Sequence, residues 1–507
     1  MASRLLRWGL LPRESTFGPA VLLMTGRAIA SAATLLIPVI LVRIFDQHDY
    51  GTYRQLFLVF MTLYPVALIG LSDSLYYFIP LDPGAAGRYV ANALLGLFLV
   101  GGLSLTALWA LRYDVAAWLQ NPALADSLGA IGWFLLFSLA ATVLEIVLIA
   151  RKRYSWATAS YVLSDLVRAA FFVIPALLVP SLRTLMLGAV AFAAVRLLAA
   201  LLLLRRELGG SLRPDLALLP AQIAYAAPFA LYVLVEILQS TYHQYAVSWS
   251  FDAATFALYS VGCFQVPLVD FLATPASSVM MVRMSEELRE GRPDEALAIW
   301  LDITRKLALV FFPMVALLMA SSREVIVFFF TERYAASAPI FAVWVTTIAL
   351  SSIQTDGVLR VLAQVPFLFH VNLVRLALIV LLTGPLLTAF GLVGPVLSTL
   401  LAIVAGKTLH LIRIKRELRL SAGALLPWRS LAATLAVSAV AALPALAIHR
   451  ALAAPPLVML SAQTAAFALT YLALAFAFGL IQPAERAALT GWFRPVVARP
   501  LAASGTE

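Results

Sequence analysis

Residues 27–53 read R-A-I-A-S-A-A-T-L-L-I-P-V-I-L-V-R-I-F-D-Q-H-D-Y-G-T-Y, a long apolar run closed by an aromatic and acidic motif. Phe45, Asp46, Tyr50, Gly51 and Tyr53 recur without a gap as Phe251, Asp252, Phe256, Ala257 and Tyr259, again closing a long apolar run. A second echo follows in each half, where Asp165 and Arg168 match Asn372 and Arg375 at nearly the same offset. Self-similarity of this kind is the mark of a chain built twice on one plan.

Composition says where such a chain lives. Hydrophobic residues make up 62% of the 507 and charged residues 12%, whereas a water-soluble domain carries about 25% charge. Apolar runs of the roughly 20 residues needed to cross a bilayer tile almost the whole length. The reading is an all-α polytopic membrane protein of about 14 transmembrane helices. Two six-helix repeats are followed by two C-terminal helices. Expected helices are 17–43, 51–80, 88–110, 124–150, 154–180, 183–205, 217–249, 254–282, 296–320, 334–362, 366–389, 391–412, 430–449 and 456–482. The corresponding units are a cytoplasmic N-terminus (1–16), the first bundle (17–205), a linker (206–216), the second bundle (217–412), a basic linker (413–429), the two additional helices (430–482) and a cytoplasmic tail (483–507). The N-terminal run is too long for a cleaved signal core and is read as the first helix.

The net charge of +10 is read as topology. With both termini cytoplasmic, 24 of the 36 basic residues fall on inner segments and seven outside, which obeys the positive-inside rule. The inner stretch 283–306 is expected to form a short amphipathic helix on the membrane face, with Pro293 opening another.

Several chemistries are missing. No G-x-x-x-x-G-K-[ST] phosphate loop and no H-E-x-x-H motif occurs, so neither ATP hydrolysis nor a metal cofactor is expected. No cofactor of any kind is expected. The single cysteine, Cys263, excludes a disulfide within the chain. Because loops are short, the chain is read as a transporter of the internal-repeat type and not an enzyme. Nucleic acid is not an expected partner.

Charges inside spans cost about 2.5–3.5 kcal/mol at the bilayer centre on insertion scales, so each asks for a reason. The i,i+4 spacing of Asp356 and Arg360 suggests a local ion pair near a helix end. Glu145 and Arg196 lie within reach of the basic clusters at their helix ends, and Asp165 and Arg168 form an i,i+3 pair. Arg27, Glu236, Asp270 and Asp73 sit within apolar runs, where a watery cavity or one another would accommodate them. Glu236, Gln239 and His243 share one face of the seventh helix, which either lines that cavity or bonds to neighbouring helices. Pro267 and Pro275 flank Asp270 and mark the expected hinge.

On these features the chain resembles polysaccharide flippases of the multidrug/oligosaccharidyl-lipid/polysaccharide exporter superfamily. The resemblance rests on the R-I-F-D-Q-H-D-Y-G-T-Y motif, its echo F-D-A-A-T-F-A-L-Y, the two six-helix halves and the basic break before two extra helices, and it covers roughly residues 15–420. It implies a V-shaped cavity between two bundles and alternating access in the bacterial inner membrane. The expected substrate is a polyprenyl-pyrophosphate-linked oligosaccharide for O-antigen, exopolysaccharide or capsule. Partners would be the lipid bilayer and the polymerase and glycosyltransferases of the same pathway. Arg27, Arg168 and Arg375 are the implied pyrophosphate contacts; Glu236, Asp270, Asp73, Gln239 and His243 are the cavity or ion-coupling candidates. Alternatives are an ion-coupled multidrug exporter of the same superfamily and a membrane polymerase or glycosyltransferase.

Overall fold

The computed structural model describes residues 36–482 and 485, apart from 69, 211 and 453 and the side chain of Phe229. The expected start of the first helix, Arg27, the N-terminus and most of the tail lie outside the described residues. Every regular element among the described residues is helical, as hydrocarbon demands, since a helix satisfies its own backbone hydrogen bonds.

The opening motif explains how the halves meet. After α1 (residues 36–44), Asp46 turns the chain into α2 (Gln47–Leu68), its carboxylate accepting a hydrogen bond from the Asp49 amide at 2.7 Å. The matching Asp252 caps α11 (Ala253–Gly262) in the same way, accepting from the Thr255 amide at 2.9 Å. Both are N-caps, the role for which a short carboxylate is suited. Phe45, Tyr50, Tyr53, Phe256 and Tyr259 are buried. Gly51 marks the crossing of the two repeat-related helices: a Cβ there would lie 1.8 Å from the Ala253 carbonyl oxygen. Only a missing side chain lets two helix backbones come this close.

The first half continues through α3 (Leu75–Leu81), α4 (Ala86–Ala110), α5 (Arg112–Trp118), α6 (Ala125–Ala141), α7 (Val143–Ala150), α8 (Tyr154–Leu178) and α9 (Leu182–Glu207). The second comprises α10 (Leu219–Ser250), α11 (Ala253–Gly262), α12 (Leu268–Arg289), α13 (Pro293–Ala320), α14 (Ser322–Phe330), α15 (Ala338–Trp344), α16 (Thr346–Leu350), α17 (Thr355–Val361), α18 (Val365–Phe390) and α19 (Gly394–Glu417). The last pair is α20 (Trp428–Ala451) and α21 (Pro456–Ala477). Tyr471 donates to the Leu309 carbonyl at 2.8 Å and His449 meets Glu324, fastening this pair to α13 and α14.

Among the described residues nine helical stretches are long and apolar enough to cross a membrane, or ten if the bent α10 counts as one. Three expectations are corrected. The run 51–80 is broken after Leu68, where Gly70 adopts φ +63° beneath the Ala226 backbone. The run 254–282 is broken at 263–267, so Pro267 is the residue before α12 and not an internal kink. The expected separate surface helix within 283–306 is instead a continuation of α12 to Arg289, and Pro293 starts α13 after a turn at Gly291.

The halves are knitted together at the ends that the basic asymmetry assigns to the outer side. The Gln55 amide donates to Ser248 at 2.8 Å and to the Leu119 carbonyl at 3.0 Å, while Asn121 donates to Thr52 and Gln55. Tyr245 donates to Thr62 at 2.9 Å, and Gln47 to the Arg333 carbonyl at 2.7 Å. The opposite ends are joined too: Asn92 holds the interbundle linker by donating to the Asp215 carbonyl at 2.7 Å, and Gln222 of the second half donates to the Tyr89 carbonyl at 3.3 Å and to Ser74 at 3.4 Å.

Candidate functional site

Polar groups inside the spans collect into two repeat-related clusters. In the first half, Arg168 of α8 pairs with Asp165 at 2.5 Å, and Tyr53, Tyr64 and Arg196 lie within its electrostatic reach. In the second, the Arg375 guanidinium donates to the Asn372 side-chain oxygen at 3.3 Å, and its alkyl stem lies on Gly406. A Cβ at 406 would come within 2.5 Å of Arg375 Cδ, so the glycine makes room for the arginine. Asp356, Tyr232 and Glu236 lie within electrostatic reach of Arg375. The arginine therefore has a full carboxylate beside it in one half and only an amide in the other.

A second pair accompanies each arginine. Glu145 of α7 meets Arg196 of α9 at 3.1 Å and accepts from Ser160 at 2.9 Å. Asp356 of α17 meets Lys407 of α19 at 3.2 Å and His410 at 3.4 Å. Asp356 and Lys407 each lie 211 positions after Glu145 and Arg196. Reading one helix at a time ties Asp356 to Arg360; the structure instead turns it across to α19. The shared offset of 211 is the signal that reveals the pairing, and it requires comparing the halves with each other.

The remaining candidates separate by exposure. Glu236, Asp270 and Asp73 are exposed, on α10, on the first turn of α12 and in the turn between α2 and α3. Among the described residues no side chain donates to these three carboxylates. Gln239 and His243 are buried. His243 Nδ1 lies 2.6 Å from the Tyr259 hydroxyl, with its ring against Trp344, so it is held within α10–α11 packing. Pro275 is inside α12 and Pro267 caps its start. Among the described residues no group of three or more His, Cys, Asp or Glu side chains could hold a metal ion.

A family model described as polysaccharide biosynthesis protein matches residues 40–339, more than half of the chain. The chain belongs to that family. Among curated proteins, no sequence matches it. Among solved structures it is similar to the lipid II flippase MurJ in an inward closed conformation, with 12% identity, 89% of this chain and 98% of that one covered, and a TM-score of 0.71. It is also similar to an inward-facing multidrug resistance MATE family transporter, with 13% identity, 78% and 96% covered, and a TM-score of 0.60. A MOP superfamily transporter from Pyrococcus furiosus matches at 13% identity, 79% and 95% covered, and a TM-score of 0.55. At such identities the likeness is one of fold, and the fold is that of the MOP superfamily. This family member is a multi-pass membrane protein of transporter architecture.

Proposed function

We propose that the chain flips a polyprenyl-pyrophosphate-linked oligosaccharide from the cytoplasmic to the outer leaflet of a bacterial inner membrane, with both termini cytoplasmic. The observation that carries this reading is the pair of intramembrane arginines, Arg168 and Arg375, at matching positions of two repeats in a polysaccharide biosynthesis protein. Guanidinium is suited to a pyrophosphate because it is planar, permanently charged and able to donate two parallel hydrogen bonds. Arg27, on the expected first helix, is the third proposed contact. Glu236, which lies near Arg375, and Asp270 and Asp73 are the proposed cavity carboxylates, with Gln239 and His243 behind them. Pro267 and Pro275 are the proposed hinge.

The fourteen-span reading belongs to the same proposal. Helices α18 and α19 run antiparallel, as the contacts of Arg375 with Gly406 and Thr383 with Ser398 require, so residues 365–417 make two crossings. Adding α10, α2 with α3, α11 with α12, and the first helix brings the total to fourteen. The bundles are then 17–205 and 217–412, with 430–482 appended.

The test is export of lipid-linked oligosaccharide in Arg375→Lys and Arg375→Ala strains at matched protein levels. Bidentate phosphate contact predicts a loss in both, because lysine restores charge but not the fork. Full export in both removes Arg375 from the site.

A further inference from the structure

Between α8 and α9 lies a cleft of about 440 Å³, floored by α7 and built from first-half residues alone. Its shape follows from where the two helices touch. Near their outer ends a Cβ on Gly188 would lie 2.1 Å from the Phe171 carbonyl oxygen, and the Phe171 and Phe192 rings stand 6.4 Å apart. Toward the cytoplasmic ends the facing residues are small, Ala159, Ser160 and Ser164 against Ala199 and Ala200, and they leave a slot. The slot runs from Val167 down to Arg153, about 21 Å of helix.

Three properties define what would fill it. Leu163, Val195 and Leu203 give it an apolar wall. At its mouth stand Arg153 and Arg206, with Arg151 and Arg205 adjacent, against the single carboxylate of Glu207. Halfway up, Glu145 is 2% exposed, yet its second carboxylate oxygen has no partner, and neither does the Nε of Arg196. Buried polar atoms without partners are costly and are the exception in folded proteins. Here a guanidinium N–H lacks an acceptor inside a slot whose opening is cationic.

We propose that this cleft is a loading site for a phosphate-bearing isoprenoid lipid of the cytoplasmic leaflet. The mouth arginines attract the phosphate, Arg196 Nε with the Ser164 hydroxyl receives it, and the isoprene units lie along the apolar wall. Charge complementarity selects an anionic head, and a slot bounded by single helices suits one chain better than two. The proposal rests on the flippase reading for its choice of isoprenoid. It assigns a different task from Arg168 and Arg375: capture from the leaflet rather than passage.

The test is binding without transport. Purified full-length protein in detergent is titrated with a long-chain polyprenyl monophosphate, with phosphatidylglycerol and with inorganic pyrophosphate, following the thermal midpoint and the part of the tryptophan fluorescence that a Trp156→Phe variant loses, Trp156 standing at the mouth. The polyprenyl monophosphate is expected to saturate at a concentration at least about tenfold below the other two. Ala199→Phe fills the slot from an exposed position, and Arg153→Gln with Arg206→Gln strips the mouth; each should weaken binding by about tenfold while leaving the lipid-free midpoint unchanged. Equal response to phosphatidylglycerol makes the cleft a general anionic-lipid site and overturns the proposal. Equal response to pyrophosphate alone, or wild-type binding by Ala199→Phe, overturns it too. Loss of the Arg375 export effect with binding intact would instead remove the flippase reading and leave the cleft standing.

Discussion

Glu145 and Asp356 hold matching places in the two halves, and each meets a cation two helices further on, but the surroundings differ. Glu145 is sealed, 2% exposed, and has Arg196 and Ser160 as partners. Asp356 is 44% exposed and shares Lys407 with the Ile353 carbonyl and the Thr355 hydroxyl, while His410 lies behind it. The arginine beside the sealed pair has a carboxylate partner, Asp165; the arginine beside the open pair has only Asn372. The two copies share one charged scaffold but pair it differently: the first half gives both Arg168 and Arg196 a carboxylate, whereas the second gives Arg375 an amide and Lys407 a half-exposed carboxylate. What this teaches is that repeat symmetry locates the charged groups but does not assign them equal roles.

Mutations can break or sharpen that contrast. The largest effect is expected at the crossing that holds the halves together. Gly51→Leu has no space against the Ala253 backbone, and we expect no monodisperse protein on size exclusion. Ala257→Gly at the matching position should still fold, losing about 1 kcal/mol of helix stability. Breaking the ion pairs comes next. Glu145→Gln leaves Arg196 buried without its counter-charge and should cost about 3–5 kcal/mol. Asp356→Asn, at a half-exposed pair whose lysine keeps other acceptors, should cost about 1 kcal/mol or less. Thermal unfolding in one detergent measures both, and equal losses would erase the distinction between sealed and open. A comparably small effect concerns the caps. Asp252 lies outside the spans, and its carboxyl is held below the usual range by hydrogen bonds from the Thr255 hydroxyl and amide. Its contribution is therefore present above the unfolded carboxyl value, about 3.9, and is lost as pH falls through the lower folded value. Asp252→Ala should cost about 1 kcal/mol at pH 7, with the gap from wild type closing on acidification. A gap that persists at acid pH would show that the cap does not act through its charge.

Much of the architecture is legible in the sequence, because apolar length and basic asymmetry act one helix at a time. The motif 45–53 and its echo give the duplication, and the structure adds that these residues form caps and a crossing. What the sequence hides is relational. Whether Asp356 turns to Arg360 or to Lys407 depends on how α17 and α19 face each other, which local spacing does not encode. The breaks after Leu68 and Gly262 are masked for another reason. Each carries a local signal, Gly70 with Ser72, Asp73 and Ser74 at the first and Gln265 with Pro267 at the second, but the flanking apolar runs are long enough to read through it. The breaks also fall at different places in the two halves, so the repeat does not predict one from the other. The candidate site is legible in residue type: Arg168 and Arg375 stand out as buried charge, while the slot beside Arg196 depends on small residues that look unremarkable in any apolar helix.

The hydrogen bonds from Gln55 to Ser248 and from Tyr245 to Thr62, with the backbone contact at Gly51, tie the halves near one end of spans about 30 Å long. Gln222 of α10 donates to Ser74 and to the Tyr89 carbonyl, and Tyr225 stacks on Tyr77, so the halves are also fastened near the other end. Tilting one bundle about the first set by about 10° would shift the far ends by about 5 Å, close to one helical turn. Such a tilt parts the second set while the first scarcely moves: one end is built as a hinge pin and the other as a latch.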